Sequence, residues 1–517
     1  MVVSNAGQGD AAALRRAAQA HRAGGRFEAA RSLLQRAVEL APLDPAGWAL
    51  LADALLQDRR AEAAITVCDL GLQRLPAAPA LLCAKARTLQ SLSRVAEAVV
   101  LYRQALGLDP ANAEARLGLA LQAAEAGDWE EAQALVQPLG VAHSSPAVDW
   151  LRARIAQGRG DNDEALVASQ RMLAAGGLLP DQRAEAELLM GEALDGLGRY
   201  GEAFQAFSRG KGALRAFYAG RASGREAETV KLNRLAAWFA AADPAAWREA
   251  PPAPPDPDRP GHAFLLGFPR SGTTLLEQAL AGHPRLAALE EAPTLAAPYA
   301  ELMTGPLGLE RLARLSPGDA ARWRAGYWRE VDVRCPAARG SVFLDKAPAG
   351  TLYLPLIAKL FPAASVIFAL RDPRDVVLSC FRNSFQMNAL TYAFTDLTET
   401  ARAYAAAMAL AEVCRRVLPL AVIEVRLERL VDDFAGELGR ICGFLGLELT
   451  PGMTDVAATA RRRVVRTPSA AQVRAGLNRQ GVGRWRAYAA ELAPTRPMLA
   501  AWIERFGYDP DWGGASG

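Results

Sequence analysis

Polar and apolar positions along the first two hundred residues recur with a fixed rhythm. The phrase GRFEAA at Gly25–Ala30 returns as RRAEAA at Arg59–Ala64, SRVAEA at Ser93–Ala98 and GDWEEA at Gly127–Ala132. It continues as GDNDEA at Gly160–Ala165 and GRYGEA at Gly198–Ala203. The alanine after the glutamate falls at 29, 63, 98, 132, 165 and 203, spacings of 34, 35, 34, 33 and 38. Behind each phrase, apolar residues keep helical spacing, as at Ala30, Leu33, Leu34, Ala37 and Val38, which makes one stripe on one helix face. A glycine or other turn-tolerant residue interrupts the helix just before the small alanine, so two helices can approach closely. Pro45, Pro79 and Pro110 stand where one unit hands over to the next. A lone helix pair cannot bury its apolar face, so the units must stack.

A period near 34 with paired amphipathic helices resembles the tetratricopeptide repeat family, over roughly residues 10–215. The resemblance implies an all-α solenoid whose groove takes a peptide or protein partner; a scaffold that only orients or dimerises its neighbour remains the alternative. A mixed polar–apolar helix around Arg225–Ala242 extends this domain to residues 10–245 as its cap. The run REAPPAPPDPDRPGH at Arg248–His262 cannot continue a helix, so 246–261 reads as a linker. A second domain is expected over 262–510.

That second domain opens with a short apolar run, Ala263–Gly267, then FPRSGTT, then the helical LLEQALAGH. Strand, glycine-containing loop and helix make an anion cradle, because loop N–H groups and the helix dipole point at the same place. Gly267, four residues and Gly272 nearly match the Walker A pattern, but Thr273 stands where its lysine belongs. Without that lysine an ATPase, GTPase or kinase is disfavoured. A second apolar run, Val366–Leu370, is followed by RDPRDVVLSCFRNSF. Arg371 would stand at a strand's carboxyl end, with Asp372 as N-cap, Pro373 as first helical residue and Ser379 two turns in. Arginine and serine there can grip a second phosphate; the alternative is arginines on a solvated helix face.

Composition narrows the classes further. The chain is 51% hydrophobic and 22% charged with a net charge of +3, which does not support nucleic-acid binding. MVVSNAGQGDAAALRRAA lacks the signal-peptide pattern, and no apolar run is long enough to span a bilayer. Six cysteines without a CxxC pair read as free thiols in a reducing cytoplasm, and four histidines make a histidine-based metal centre unexpected.

PRSGTT followed by RDPRDVVLS resembles the 5′-phosphosulfate loop and 3′-phosphate motif of PAPS-dependent sulfotransferases. GHPRLAALEEAP at Gly282–Pro293, DKAP at Asp345–Pro348, RLERLVDDFAGELGRICGFLGL at Arg426–Leu447 and SAAQVRAGLNRQGVGRW at Ser469–Trp485 agree with it in order. Over about residues 262–510 the chain is similar to tyrosylprotein sulfotransferases, and with the repeats, over nearly its whole length, to bacterial-type enzymes joining tetratricopeptide repeats to a sulfotransferase domain. The resemblance implies an α/β, P-loop-like domain with a central parallel sheet, and sulfuryl transfer from PAPS to a hydroxyl on a protein tyrosine, glycan or small molecule. It makes Glu291 the general base, with Glu290 the alternative, and Lys346 a stabiliser of the transferring group. Arg270 would meet the 5′ end of the donor, and Ser271, Gly272, Thr273 and Thr274 its 5′-phosphate. Arg371 and Ser379 match the 3′-phosphate ligands, and Ser469 and Arg484 two late contacts. No metal is expected, since the donor is already activated. Two positions depart from the pattern: Asn383 stands where the relatives place an arginine, with Arg382 beside it, and Leu427 where a tyrosine is common. His283, before Pro284, reads as structural rather than catalytic. The rival from another class is a repeat scaffold with a non-catalytic nucleotide-binding domain.

Overall fold

The computed structural model describes residues 5–23, 26–140, 145–224, 226–248, 256–305, 307–462 and 476–512. They form two compact units, Met1–Gly177 and Leu178–Gly517.

The first unit consists of helix pairs in chain order. They are Asn5–Ala23 with Phe27–Leu40 (α1, α2), Pro45–Gln57 with Ala61–Arg74 (α3, α4) and Pro79–Ser91 with Val95–Leu108 (α5, α6). Ala113–Ala126 with Trp129–Val136 (α7, α8) and Pro146–Arg159 with Asn162–Ala174 (α9, α10) complete it. Every recurring phrase starts the second helix of a pair. Among the described residues the first residue of a phrase takes a left-handed turn, at φ 83° in Gly127 and 76° in Gly160, and the same turn is forced on Arg59 and Ser93 at 59° and 60°. Pro45 and Pro79 open α3 and α5, and the Asn112 side chain caps α7 just after Pro110. The closest-packed position is the last residue of each phrase: Ala30, Ala64, Ala98, Ala132, Ala165 and Ala203 are all 0% exposed. Ala29 and Ala63, one residue earlier, are only half-buried. The helical register therefore follows the phrase end, which holds the first three spacings at 34. Core clusters follow one another along this unit, as expected where each pair packs on its neighbours.

The sixth pair, Pro180–Gly196 (α11) and Tyr200–Ala222 (α12), falls in the second unit. So does Glu228–Ala241 (α13), the helix expected to cap the solenoid. Leu232, Leu235 and Phe239 of α13, with Trp247 of the short helix Pro244–Arg248, enter the same core as Phe264 and Leu266. Residues 249–255 of the expected linker lie outside the described residues.

That core covers one face of a parallel sheet with strand order β2-β3-β1-β4-β5. The strands are Gly261–Gly267 (β1), Leu286–Glu290 (β2), Val342–Lys346 (β3), Ser365–Leu370 (β4) and Ala421–Arg426 (β5). Alternate residues face opposite layers: Phe264 and Leu266 one side, Ala263 and Leu265 the other, so both faces are buried as an all-parallel sheet requires. The chain leaves central β1 for the β2–β3 side and then returns to place β4 on its other flank. That reversal puts the carboxyl ends of β1, β3 and β4 around one crevice, where open α/β sheets bind ligands.

Candidate active site

The loop after β1 leads into helix Thr273–Leu280 (α14). Gly272 sits at φ 93°, and a Cβ there would meet Leu427 Cδ1 at 2.8 Å. Leu427, where the sequence resemblance expects a tyrosine, thus packs over the loop. Arg270 is at φ 72° and Glu291 at φ 46°; among the described residues of the second unit they alone are non-glycine residues with positive φ. Each such position costs about 1–3 kcal/mol and is held by its surroundings. Here the Glu291 N–H donates to the Lys346 carbonyl at 2.9 Å, and Arg371 Nη1 donates to the Arg270 carbonyl at 2.9 Å.

The second loop follows β4. Asp372 caps the helix Pro373–Arg382 (α15) by accepting from the Arg374 N–H, with Pro373 in the first turn. Arg371 stands at the strand end, as the sequence implied. Arg270 Nε donates to Ser379 Oγ at 2.9 Å, so the two predicted phosphate loops meet through these side chains. Burial, and then the neighbouring Arg371, pull the Arg270 guanidinium down to about 10; it stays charged at pH 7, a buried cation beside a second one. Ser271, Thr273 and Thr274 are buried around it.

At the end of β3, Lys346 is 0% exposed and its Nζ is 2.9 Å from Glu291, 3.1 Å from Glu290 and 3.4 Å from Glu277. Burial opposes the ammonium charge, but Glu277, Glu291 and Glu290 outweigh it, so its pKa is raised. Glu291 is the open member of the set, its side chain 48% exposed against 16% for Glu290 and 0% for Glu277. Its carboxylate is thus open to solvent while Lys346 holds it in place.

Several participants were not picked out from sequence. Glu277 rests on α14 under Lys346; its one signal was an acid, beside Gln278, between two apolar pairs. Asp375 accepts from the Gly483 N–H at 2.7 Å and the Trp485 N–H at 2.8 Å, and burial before other causes lifts its carboxyl to about 6. Arg374 is clamped bidentately by Asp372 and stacks 3.6 Å over Trp485. These two contacts dock the segment carrying Gly481, whose carbonyl accepts from Arg371 Nη2. Arg484, from that segment, meets Arg382 on one carboxylate, that of Asp195 in α11. Asn383 turns back, its Nδ2 donating to the Ser379 carbonyl at 2.7 Å. His283 is buried, its Nδ1 accepting from the Arg285 N–H at 3.0 Å, a turn-forming bond. Ser469 lies outside the described residues.

The two loops expected to hold phosphate meet at the sheet's switch point, next to Lys346 and Glu291, inside a segment that a family model finds independently: residues 262–451 fit the description "Sulfotransferase family". This segment is a sulfotransferase domain. Residues 15–79 and 89–155 match two tetratricopeptide repeat models. An uncharacterized protein of Aquifex aeolicus (strain VF5) is 28% identical over 248 residues, 46% of this chain. The match spans only 32% of that relative's length. Among solved structures, the sulfotransferase domain from the Synechococcus PCC 7002 olefin synthase is 26% identical, covering 49% of this chain and 98% of that one, with a TM-score of 0.33. A thermophilic TPR protein of Thermus thermophilus is 22% identical, covering 35% of this chain and 98% of its own, with a TM-score of 0.31. The six cysteines of the chain form no disulfide with one another. Among the described residues no acid, histidine and cysteine cluster could hold a metal, and no helix is long and apolar enough to cross a membrane.

Proposed function

We propose that the second unit transfers the sulfuryl group of PAPS to a hydroxyl acceptor, releasing adenosine 3′,5′-bisphosphate. The observation that carries this reading is the Arg270–Ser379 bond at 2.9 Å, which joins the 5′ and 3′ phosphate loops into one cradle. The donor fits these residues: Arg371 Nε is buried without a hydrogen-bond partner among the described residues, and two buried guanidiniums side by side call for an anion. Ser271, Gly272, Thr273 and Thr274 would hold the 5′-phosphate on the α14 N-terminus, and Arg371 and Ser379 the 3′-phosphate. Arg484, and Ser469 from the sequence resemblance, complete the donor contacts.

Glu291 takes the acceptor's hydroxyl proton as the acceptor oxygen bonds to sulfur. The sulfur's bond to the 5′-phosphate oxygen breaks at the same time, and Lys346 and Arg270 balance the charge that develops there. No metal is needed in this scheme. The repeat unit would bind a peptide or protein partner, and an acceptor on a protein tyrosine, a glycan or a small molecule fits equally. Mostly buried cysteines that form no disulfide agree with a cytoplasmic setting.

Thermal unfolding with adenosine 3′,5′-bisphosphate, ATP and GTP tests the reading. The bisphosphate alone should stabilise, by about 2.7 kcal/mol at a hundredfold excess over Kd. Equal or absent stabilisation would overturn the donor assignment. Labelled PAPS added to a lysate then identifies the acceptor.

A further inference from the structure

The arginine expected at position 383 is absent, and the backbone shows what replaced it. Asn383 has a structural task on both sides: its amide donates to the Ser379 carbonyl at 2.7 Å, and its own carbonyl accepts from the buried Lys211 Nζ at 2.6 Å. Arg382, one residue earlier on α15, lies near enough to Arg270 to help lower its pKa. It donates to Asp195 Oδ2 at 2.7 Å. Arg484 reaches the same oxygen and also the Asp195 carbonyl at 3.2 Å, while the Tyr488 hydroxyl donates to Oδ1. Asp195 is 5% exposed.

Both helices of the sixth pair share in this arrangement. Asp195 comes from α11; from α12, Phe207 lies under Arg382 and Tyr200 under Arg484, each guanidinium carbon 5.4 Å from the ring centroid. A helix pair that reads by sequence as one more repeat is thus built around two arginines of the sulfotransferase domain. Two guanidiniums this close repel unless a carboxylate lies between them. One carboxylate uses few of their ten N–H groups and leaves the trio one positive charge. Such a fork is shaped for a second anion, and the 3′-phosphate grip at Arg371 and Ser379 is the neighbouring element.

We propose that Asp195 is a positioning residue for the nucleotide's 3′-phosphate, holding Arg382 and Arg484 as a fork in which Arg382 takes the place of the arginine missing at 383. The inference rests on the PAPS reading above, and it makes the sixth helix pair part of the donor site.

The test uses the full chain and calorimetric or competition binding of two nucleotides, adenosine 3′,5′-bisphosphate and 5′-AMP, which lacks the 3′-phosphate. In Asp195→Asn, the preference for the bisphosphate over 5′-AMP is expected to fall by about tenfold, as for losing an oriented charge-assisted bond. Affinity for 5′-AMP should stay within about twofold, and Asp195→Glu should restore part of the preference. Tyr488→Phe keeps the carboxylate but frees one oxygen; it should lower the same ratio by less, and it stands in if Asp195→Asn does not fold. An equal loss for both nucleotides, or an unchanged or increased preference, overturns the proposal while leaving the PAPS reading intact. A wild-type chain that does not distinguish the two nucleotides overturns both.

Discussion

Arg270 Nε donates to Ser379 Oγ across 2.9 Å, tying the loop after β1 to the helix after β4 although 109 residues separate them. The serine has two tasks in the proposed donor site: it orients the arginine and it contacts the 3′-phosphate. Ser379→Ala is therefore expected to weaken adenosine 3′,5′-bisphosphate binding about tenfold, a hydrogen bond to a charged group being worth roughly 1.5–3 kcal/mol. Titration calorimetry reads this directly. Unchanged affinity would remove Ser379 from the donor site.

Lys346 has a structural task beside its proposed chemical one. Its ammonium is buried among Glu277, Glu290 and Glu291, and the first of these is as buried as the lysine. Lys346→Met should lower stability by about 3–5 kcal/mol, the usual result of removing one partner of a buried ion pair. Adding Glu277→Gln should recover much of the loss in a urea melt without recovering transfer. Recovered transfer would show that the lysine serves only to balance Glu277.

How far the site could be read from sequence depended on distance along the chain. The cradle loops were legible because each is a local pattern: apolar run, turn, capped helix. Asp372 caps α15 and Pro373 opens it for reasons contained in three residues. The fork at Asp195 was not legible, since its arginines lie 187 and 289 residues away and its helix pair carries the same phrase as the five pairs before it. The repeat register was off by one in the first two phrases for a related reason. Alanines flank the glutamate's end there, and only packing shows that Ala30 and Ala64, not Ala29 and Ala63, are enclosed. Asp375 was hidden in plain view inside RDPRD, because its partners are backbone N–H groups of a distant segment.

Asp375 gives a pH-dependent prediction. Burial lifts its carboxyl from 3.8 to about 6, so the fold binds the proton more tightly than the unfolded chain does. Its contribution to stability is full below about 3.8 and is lost as pH rises through about 6. The stability of the wild type relative to Asp375→Asn should thus fall across that window, by up to about 3 kcal/mol, and stay level above it. Urea melts of both proteins from pH 4 to 8 measure the difference. A difference that grows with pH would mean the two N–H donors outweigh burial and hold the carboxyl below its usual range.

Glu291 and Glu290 can be separated because the fold treats them differently. Both reach Lys346, but Glu291 is held at a strained φ of 46° with its side chain 48% exposed, whereas Glu290 ends β2 at 16%. Strain held at an open carboxylate beside a buried cation suits a residue that must face substrate. Glu291→Gln should slow transfer from labelled PAPS by about 10²–10⁴, the range for a lost general base, with bisphosphate affinity within about twofold of wild type. Glu290→Gln should cost far less transfer and some stability. The reverse ranking would make Glu290 the base. A large loss of nucleotide binding in Glu291→Gln would make that residue part of the donor cradle instead.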